Sequence, residues 1–358
     1  MKTVPDRGSI DLPSMPAGDR RLYAIQIFVL SVILVLTLLG ALCAGRYPVP
    51  FSTVLAILAD NLVPNAAPFW RVVEERVVEL VRLPRILVAG LCGASLALSG
   101  AAMQGLFRNP LVGPQIIGVS SGAAFGGALA ILFFLSDLFI PAFAFVFGMI
   151  ALLITMGLAS AGGGRNVLSL VLGGIVTSAF FTSLVSLAKY VADPEDSLPT
   201  IVYWLMGSFN ESGYRDVVFV LVPLMTAGLL ILCMRHLVNI LSLGDEDAQM
   251  LGINVDVSRW LILTCCALLI VATVSVSGIV GWVGLIMPHF ARMITGPNHS
   301  RLLGVSALTG AIYMIWVDTV ARTASYGEIP VGVLTALIGA PVFGWLLYRT
   351  QMRGWGRD

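Results

Sequence analysis

The sequence predicts an all-α, polytopic membrane protein of ten transmembrane helices in one domain. Three observations lead there. Hydrophobic residues make up 58% of the 358-residue chain, enough for roughly ten spans at about 20 residues each. Charged residues make up 11%, where a soluble domain carries about 25%. The mean hydropathy is +0.92. A globular enzyme with a charged exterior is excluded.

Residues 1–21 are polar, carry Lys2, Arg7, Arg20 and Arg21, and read as an N-terminal tail. The apolar run from about 22 to 44 is longer than the ~7–15 residues of a signal-peptide core, and Leu42 puts a bulky side chain ahead of Cys43, where a lipoprotein cleavage site takes a small one. An uncleaved first helix is expected. Span-length apolar windows recur near 83–106, 113–135, 140–161, 167–190, 217–238, 257–277, 279–295, 302–322 and 330–348. Pro84 suits the first turn of the second helix. In the third, Gly118, Gly122 and Gly126 are spaced by four, a face that lets another backbone approach, within the subunit or at a translocation path or dimer interface. Between the sixth and seventh spans, L-G-D-E-D-A-Q-M-L-G at 243–252 sets three acids at a helix start and Gly252 at its end, with Asp256 or Ser258 placed to cap the next span. A structured element is expected there. An even number of spans puts both termini on one side. The basic residues Lys2, Arg7, Arg20, Arg21, Arg108, Arg165, Arg235, Arg259, Arg292, Arg301, Arg349, Arg353 and Arg357 fall on that side, which assigns both termini to the cytoplasm. The helical domain is then 22–350, with a cytoplasmic tail at 351–358.

The net charge of +1 offers no basic surface for nucleic acid. Cys43, Cys92, Cys233, Cys265 and Cys266 lie in apolar stretches without the paired spacing or nearby histidines of a metal site, so they read as packing residues. No metal and no cofactor is expected. A Walker A loop needs a lysine after a glycine, and neither Lys2 nor Lys189 follows one. The chain is therefore no ATPase; an ATP-driven transporter would keep its motor in a separate subunit. G-V-S-S-G at 118–122 matches a nucleophile pattern around Ser120, but inside an apolar helix, with His236, His289 and His299 assigned near the cytoplasmic side. Mid-membrane ionisable groups, the mark of an ion-coupled secondary carrier, are scarce. Asp318 is the main one, and Arg322 four residues on offers it a helix-internal ion pair. R-L-P-R at 82–85 places Arg82 and Arg85 at an outward helix start, against both the macrodipole and the positive-inside tendency. They read as snorkelling anchors or as a cationic patch for an acidic partner.

Further motifs recur in order: G-A-S-L-A-L-S-G-A-A-M-Q-G-L-F-R-N-P-L at 93–111, W-L-M-G-S at 204–208, A-Q-M-L-G at 248–252, G-W-V-G-L-I-M-P-H-F-A-R at 281–292, S-A-L-T-G-A at 306–311, E-I-P-V-G at 328–332 and G-A-P-V-F at 339–343. Together with R-L-P-R, they make residues 46–350 resemble the permease subunits of bacterial ABC importers for iron-siderophore complexes, haem and vitamin B12. The resemblance implies the type II ABC importer architecture in the cell (inner) membrane: a homodimer, or a pair of homologous permeases, around a central pathway. It also implies two cytoplasmic ABC ATPase subunits and a periplasmic or lipid-anchored substrate-binding protein, with membrane lipid around them. By the same likeness, residues 242–258 hold the ATPase-coupling element, with Gly244, Asp245, Glu246, Asp247, Ala248, Gln249, Leu251 and Gly252 at its contact. Asn109 and Leu111 would lie near the cytoplasmic gate, and Arg82, Arg85 and Arg322 would receive acids of the binding protein. The cargo implied is an iron chelate, a siderophore first; haem, cobalamin and molybdate-type oxyanions are alternatives. Trp282 replaces a more common phenylalanine and Gly304 a common proline, both matters of packing, and Asn166 to Val171 match the family poorly.

Overall fold

The computed structural model describes residues 17–61, 69–136, 138–161, 167–325 and 327–354. Most of the N-terminal tail, the end of the C-terminal tail, Arg165 and Asn166 lie outside the described residues. Among those described, every regular element is helical. The first span is α1 (Ala17–Cys43), followed by the short α2 (Phe51–Asp60). The long α3 (Val72–Leu106) contains a π turn at Val77–Arg82 just ahead of Pro84. A 3-10 turn at Pro114–Ile117 leads into α4 (Val119–Leu132), and α5 (Phe139–Ala161) and α6 (Val167–Val191) follow. After the short α7 (Ser197–Met206) come α8 (Tyr214–Cys233), loosened by a π turn beside Pro223, and α9 (Arg235–Leu241). The six-residue α10 (Asp245–Met250) precedes α11 (Val255–Ser277), α12 (Val283–Thr295), α13 (His299–Thr323) and α14 (Val331–Gly354).

Each of the ten expected spans is therefore helical. Seven (α1, α3, α5, α6, α8, α11 and α13) are long and apolar enough to cross a membrane; α4, α12 and α14 complete the set. The second begins well upstream of its expected start, at Val72, because Glu74 and Glu75 support a first turn that the apolar window alone misses.

The arrangement is one of centre and ring. Within their most apolar windows α3 is 83% buried and α11 72%, against 22–28% for α1, α5, α6 and α8. The ring helices leave Phe28, Leu36, Leu153 and Leu172 exposed. Helices apolar all round, yet uncovered on one side, have lipid as their solvent.

Lipid tails provide no hydrophobic drive between helices, so close packing holds the centre together. A Cβ on Gly93 of α3 would stand 2.5 Å from the Met314 Cβ and press on the Gly310 carbonyl oxygen of α13; one on Gly100 would press on the Gly284 carbonyl oxygen of α12. On α4, Gly122 and Gly126 lie against the Phe147 and Phe143 carbonyls of α5, so that glycine face packs within the subunit. Gly118 does not share it: at φ 77° it is the left-handed cap preceding α4. The two departures from the family pattern do serve packing, since Trp282 stacks edge-on to Phe343 at 6.1 Å and Gly304 lies beneath the Tyr23 hydroxyl of α1.

Candidate functional site

Charged side chains gather at the two ends of α3. Its segment Leu83–Leu106 has 24 residues, which sets the two groups roughly 36 Å apart at ~1.5 Å per residue.

The first group holds Arg82, Arg85 and Arg322, which are 4%, 5% and 6% exposed. They do not make the expected outward patch. Because α3 starts at Val72, Arg82 and Arg85 lie inside a continuous helix and escape the N-terminal dipole. Arg82 donates to the carbonyls of Leu42 at 2.6 Å, Cys43 at 3.3 Å and Tyr47, and Arg322 donates to that of Ala41. Three of these carbonyls end α1, whose last turn has no basic residue of its own. Guanidiniums from two other helices thus satisfy its orphan acceptors and complement its dipole.

Arg85 forks onto Asp318, with Nε at 2.9 Å and Nη2 at 2.8 Å from Oδ1, and turns Nη1 to Glu328 at 2.9 Å. The expected Asp318–Arg322 pair exists at 3.7 Å but is secondary to this fork. Through these bonds the three arginines tie α1, α3 and α13 together. Arg85 Nη1 also reaches Asn210 at 3.5 Å, which borders an open cavity of about 580 Å³ lined by Tyr203, Trp204, Ser208, Tyr214 and Ser275.

The second group surrounds α10. Asp245, Glu246 and Asp247 fill its first turn, where the dipole favours them. Ala248 is buried, whereas Glu246, Asp247, Gln249, Met250 and Leu251 are exposed. Gly252, at φ 77°, ends the helix: its N–H donates to Gln249 and that of Ile253 to Ala248. The next helix is capped by neither Asp256 nor Ser258. The Asn254 side chain accepts from the Val257 N–H at 3.1 Å, so α11 starts slightly earlier than the apolar pattern indicates.

Gly244 precedes this helix at φ 152°, a conformation glycine adopts readily. Asp245 is bound by two arginines that sequence reasoning did not connect to it, Arg259 at 2.8 Å and Arg108 at 3.8 Å. Beside Arg108, Asn109 and Leu111 occupy the loop that closes α3. The Asn109 N–H donates to the Gln104 carbonyl and its Oδ1 accepts from the Leu111 N–H at 2.9 Å. Gln104, 3% exposed, joins α3 to α12 through the Leu285 carbonyl at 3.3 Å and Arg292 at 2.9 Å. It too was missed, since a glutamine in an apolar run carries no spacing signal. Ser120 lacks a histidine hydrogen-bond partner among the described residues; the His236 ring pairs with Ser300 instead.

Ten spans among the described residues, a central α3 and an exposed α10 between two of them make this a polytopic helical bundle with a short helix left open at one end. The FecCD transport family matches residues 33–349, and the chain belongs to that family. It is an ABC importer permease and a polytopic membrane protein. It is 44% identical over 335 residues, 93% of this chain and 98% of the other, to the molybdate import system permease protein MolB of Haemophilus influenzae. It is 35% identical over 331 residues, 89% of this chain and 95% of the other, to the Fe(3+) dicitrate transport system permease protein FecC of Escherichia coli. A solved inward-facing conformation of a metal-chelate type ABC transporter matches with a TM-score of 0.80 at 43% identity, covering 90% of this chain and 98% of that one.

Proposed function

We propose that this permease moves an iron chelate, foremost a siderophore complex, into the cytoplasm by alternating access. Two permease copies enclose the pathway, and two ABC ATPases seat on the α10 helices. A periplasmic or lipid-anchored binding protein delivers cargo at the opposite end. Both termini are then cytoplasmic, and Asn109 and Leu111 belong to the cytoplasmic gate.

The observation that carries the mechanism is α10, a short helix closed at Gly252, whose Glu246, Gln249, Met250 and Leu251 are exposed. A capped helix transmits a push that a loop would absorb. Docking of the binding protein falls to exposed groups around the arginine cluster. Arg46 is one: it is exposed and hydrogen-bonds the Ser325 carbonyl at 3.0 Å. The buried arginines hold the segments beneath.

The similarity to an Fe(3+) dicitrate permease supports the iron-chelate cargo. A molybdate-type oxyanion is a second reading, favoured by the 44% identity to a molybdate permease over nearly its whole length. In vesicles holding the permease, its ATPase and its binding protein, uptake is expected only with ATP on the ATPase side. Uptake driven by a proton or sodium gradient without nucleotide would overturn the ATP-driven mechanism. Titrating the binding protein with ferric siderophores, ferric citrate and molybdate separates the cargoes.

A further inference from the structure

We propose that Asp245 is the joint through which α10 moves the loop 107–113, with Arg259 as its bearing on α11 and Arg108 as its arm on the loop. The inference rests on α10 being the ATPase contact and goes one step past it.

Asp245 opens α10 but turns its carboxylate back into the bundle. Both oxygens accept from Arg259 Nη2, at 2.8 and 2.9 Å. The Arg259 side chain is 3% exposed and that of Asp245 33%, so this contact is partly shielded and charge-assisted, the stronger of the two. The Arg108 contact is of another kind. At 3.8 Å, with its side chain 42% exposed, it is loose enough to lengthen or tighten as α10 shifts.

The backbone on each side takes an uncommon conformation. Gly244 ahead of the joint has φ 152°, and Arg108 holds a left-handed φ of 52°, uncommon for a residue with a side chain. What Arg108 receives it passes on, because Asn109 next to it is bonded to Gln104, and Gln104 spans α3 and α12. Glu246 and Asp247 are exposed, the Asp247 carboxylate lying back beside Gly244. The first turn of α10 thus divides its labour between an inward acid that transmits and an exposed one, Glu246, that meets a partner.

The test uses the whole transporter with its ATPase and binding protein. Arg108→Gln is expected to leave ATP hydrolysis within about twofold and to cut transport per ATP at least about fivefold, the low end of coupling between separated sites. Arg108→Lys should retain most of the transport. Asp245→Asn should uncouple likewise, and the double variant should be no worse than the worse single one, since both break one link. Glu246→Cys reports the ATPase contact by crosslinking. Capture of the ATPase with Arg108 present or replaced, together with uncoupling, supports the joint. Capture with unchanged transport per ATP, or additive losses in the double variant, overturns the joint and leaves α10 as the contact. No capture at all overturns both.

Discussion

Arg85→Ala is expected to destabilise the protein by about 3–5 kcal/mol, the cost of leaving one charge of a buried pair alone. Asp318 is 0% exposed, and the Arg85 fork supplies its shortest contacts, with Arg322 no nearer than 3.7 Å. Glu328, 20% exposed, can turn to water, but Asp318 cannot. Thermal unfolding of the purified permease in detergent, read with its membrane yield, checks the loss. Arg85→Lys should fall between, because a single ammonium cannot reproduce the fork. Arg85→Gln combined with Asp318→Asn should regain most of the loss, since the stranded charge is gone. The opposite outcome is equally concrete. An Arg85→Ala permease that melts with the wild type but no longer binds its substrate-binding protein would make Arg85 a docking residue and not a structural one.

Gly93→Val is expected to cost about 3 kcal/mol, the upper end for overpacking a tight contact. Gly93 and Gly310 bring α3 and α13 together backbone to backbone, and a side chain on either residue lands on the carbonyl oxygen of the other. The neighbours cannot yield by rotating a side chain, because the obstacle is main chain; the helices must separate. Gly157 on α5 has nothing within 4 Å of its would-be Cβ, so Gly157→Val should show no loss. Equal melting temperatures for the two variants would mean that the α3–α13 contact is looser than its geometry indicates.

Much of this was legible beforehand. The apolar windows located all ten spans, because a bilayer demands long uninterrupted runs and leaves little choice of element. The α10 element was legible from its three leading acids and from Gly252, both local signals tied to helix ends. Its boundaries were less so: Asn254, Asp256 and Ser258 are all acceptable caps, and only the register of α11 selects the first. The start of α3 was missed for a related reason, since Glu74, Glu75 and Glu79 dilute hydropathy while favouring the first turns of a helix.

The arginines mark where sequence reasoning ends. Arg82 and Arg85 stood out because an apolar window starting at 83 puts them at a helix start; the helix begins at Val72, and their partners lie 233 positions away in Asp318 and 40 positions back in the carbonyl of Leu42. Asp245 and Arg259 are 14 apart across a turn, and Arg108 joins them from a different helix pair. By itself, the sequence determined the element type, the number of spans, the capped helix between the sixth and seventh, and, through its ordered motifs, the family. Those follow from local propensity and from the solvent the chain must face. Only the tertiary structure decided which charges are buried, which partners neutralise them and which face of α10 is left open. Such pairings depend on how distant helices cross, and the crossings are set by glycine contacts and packing spread over the whole bundle.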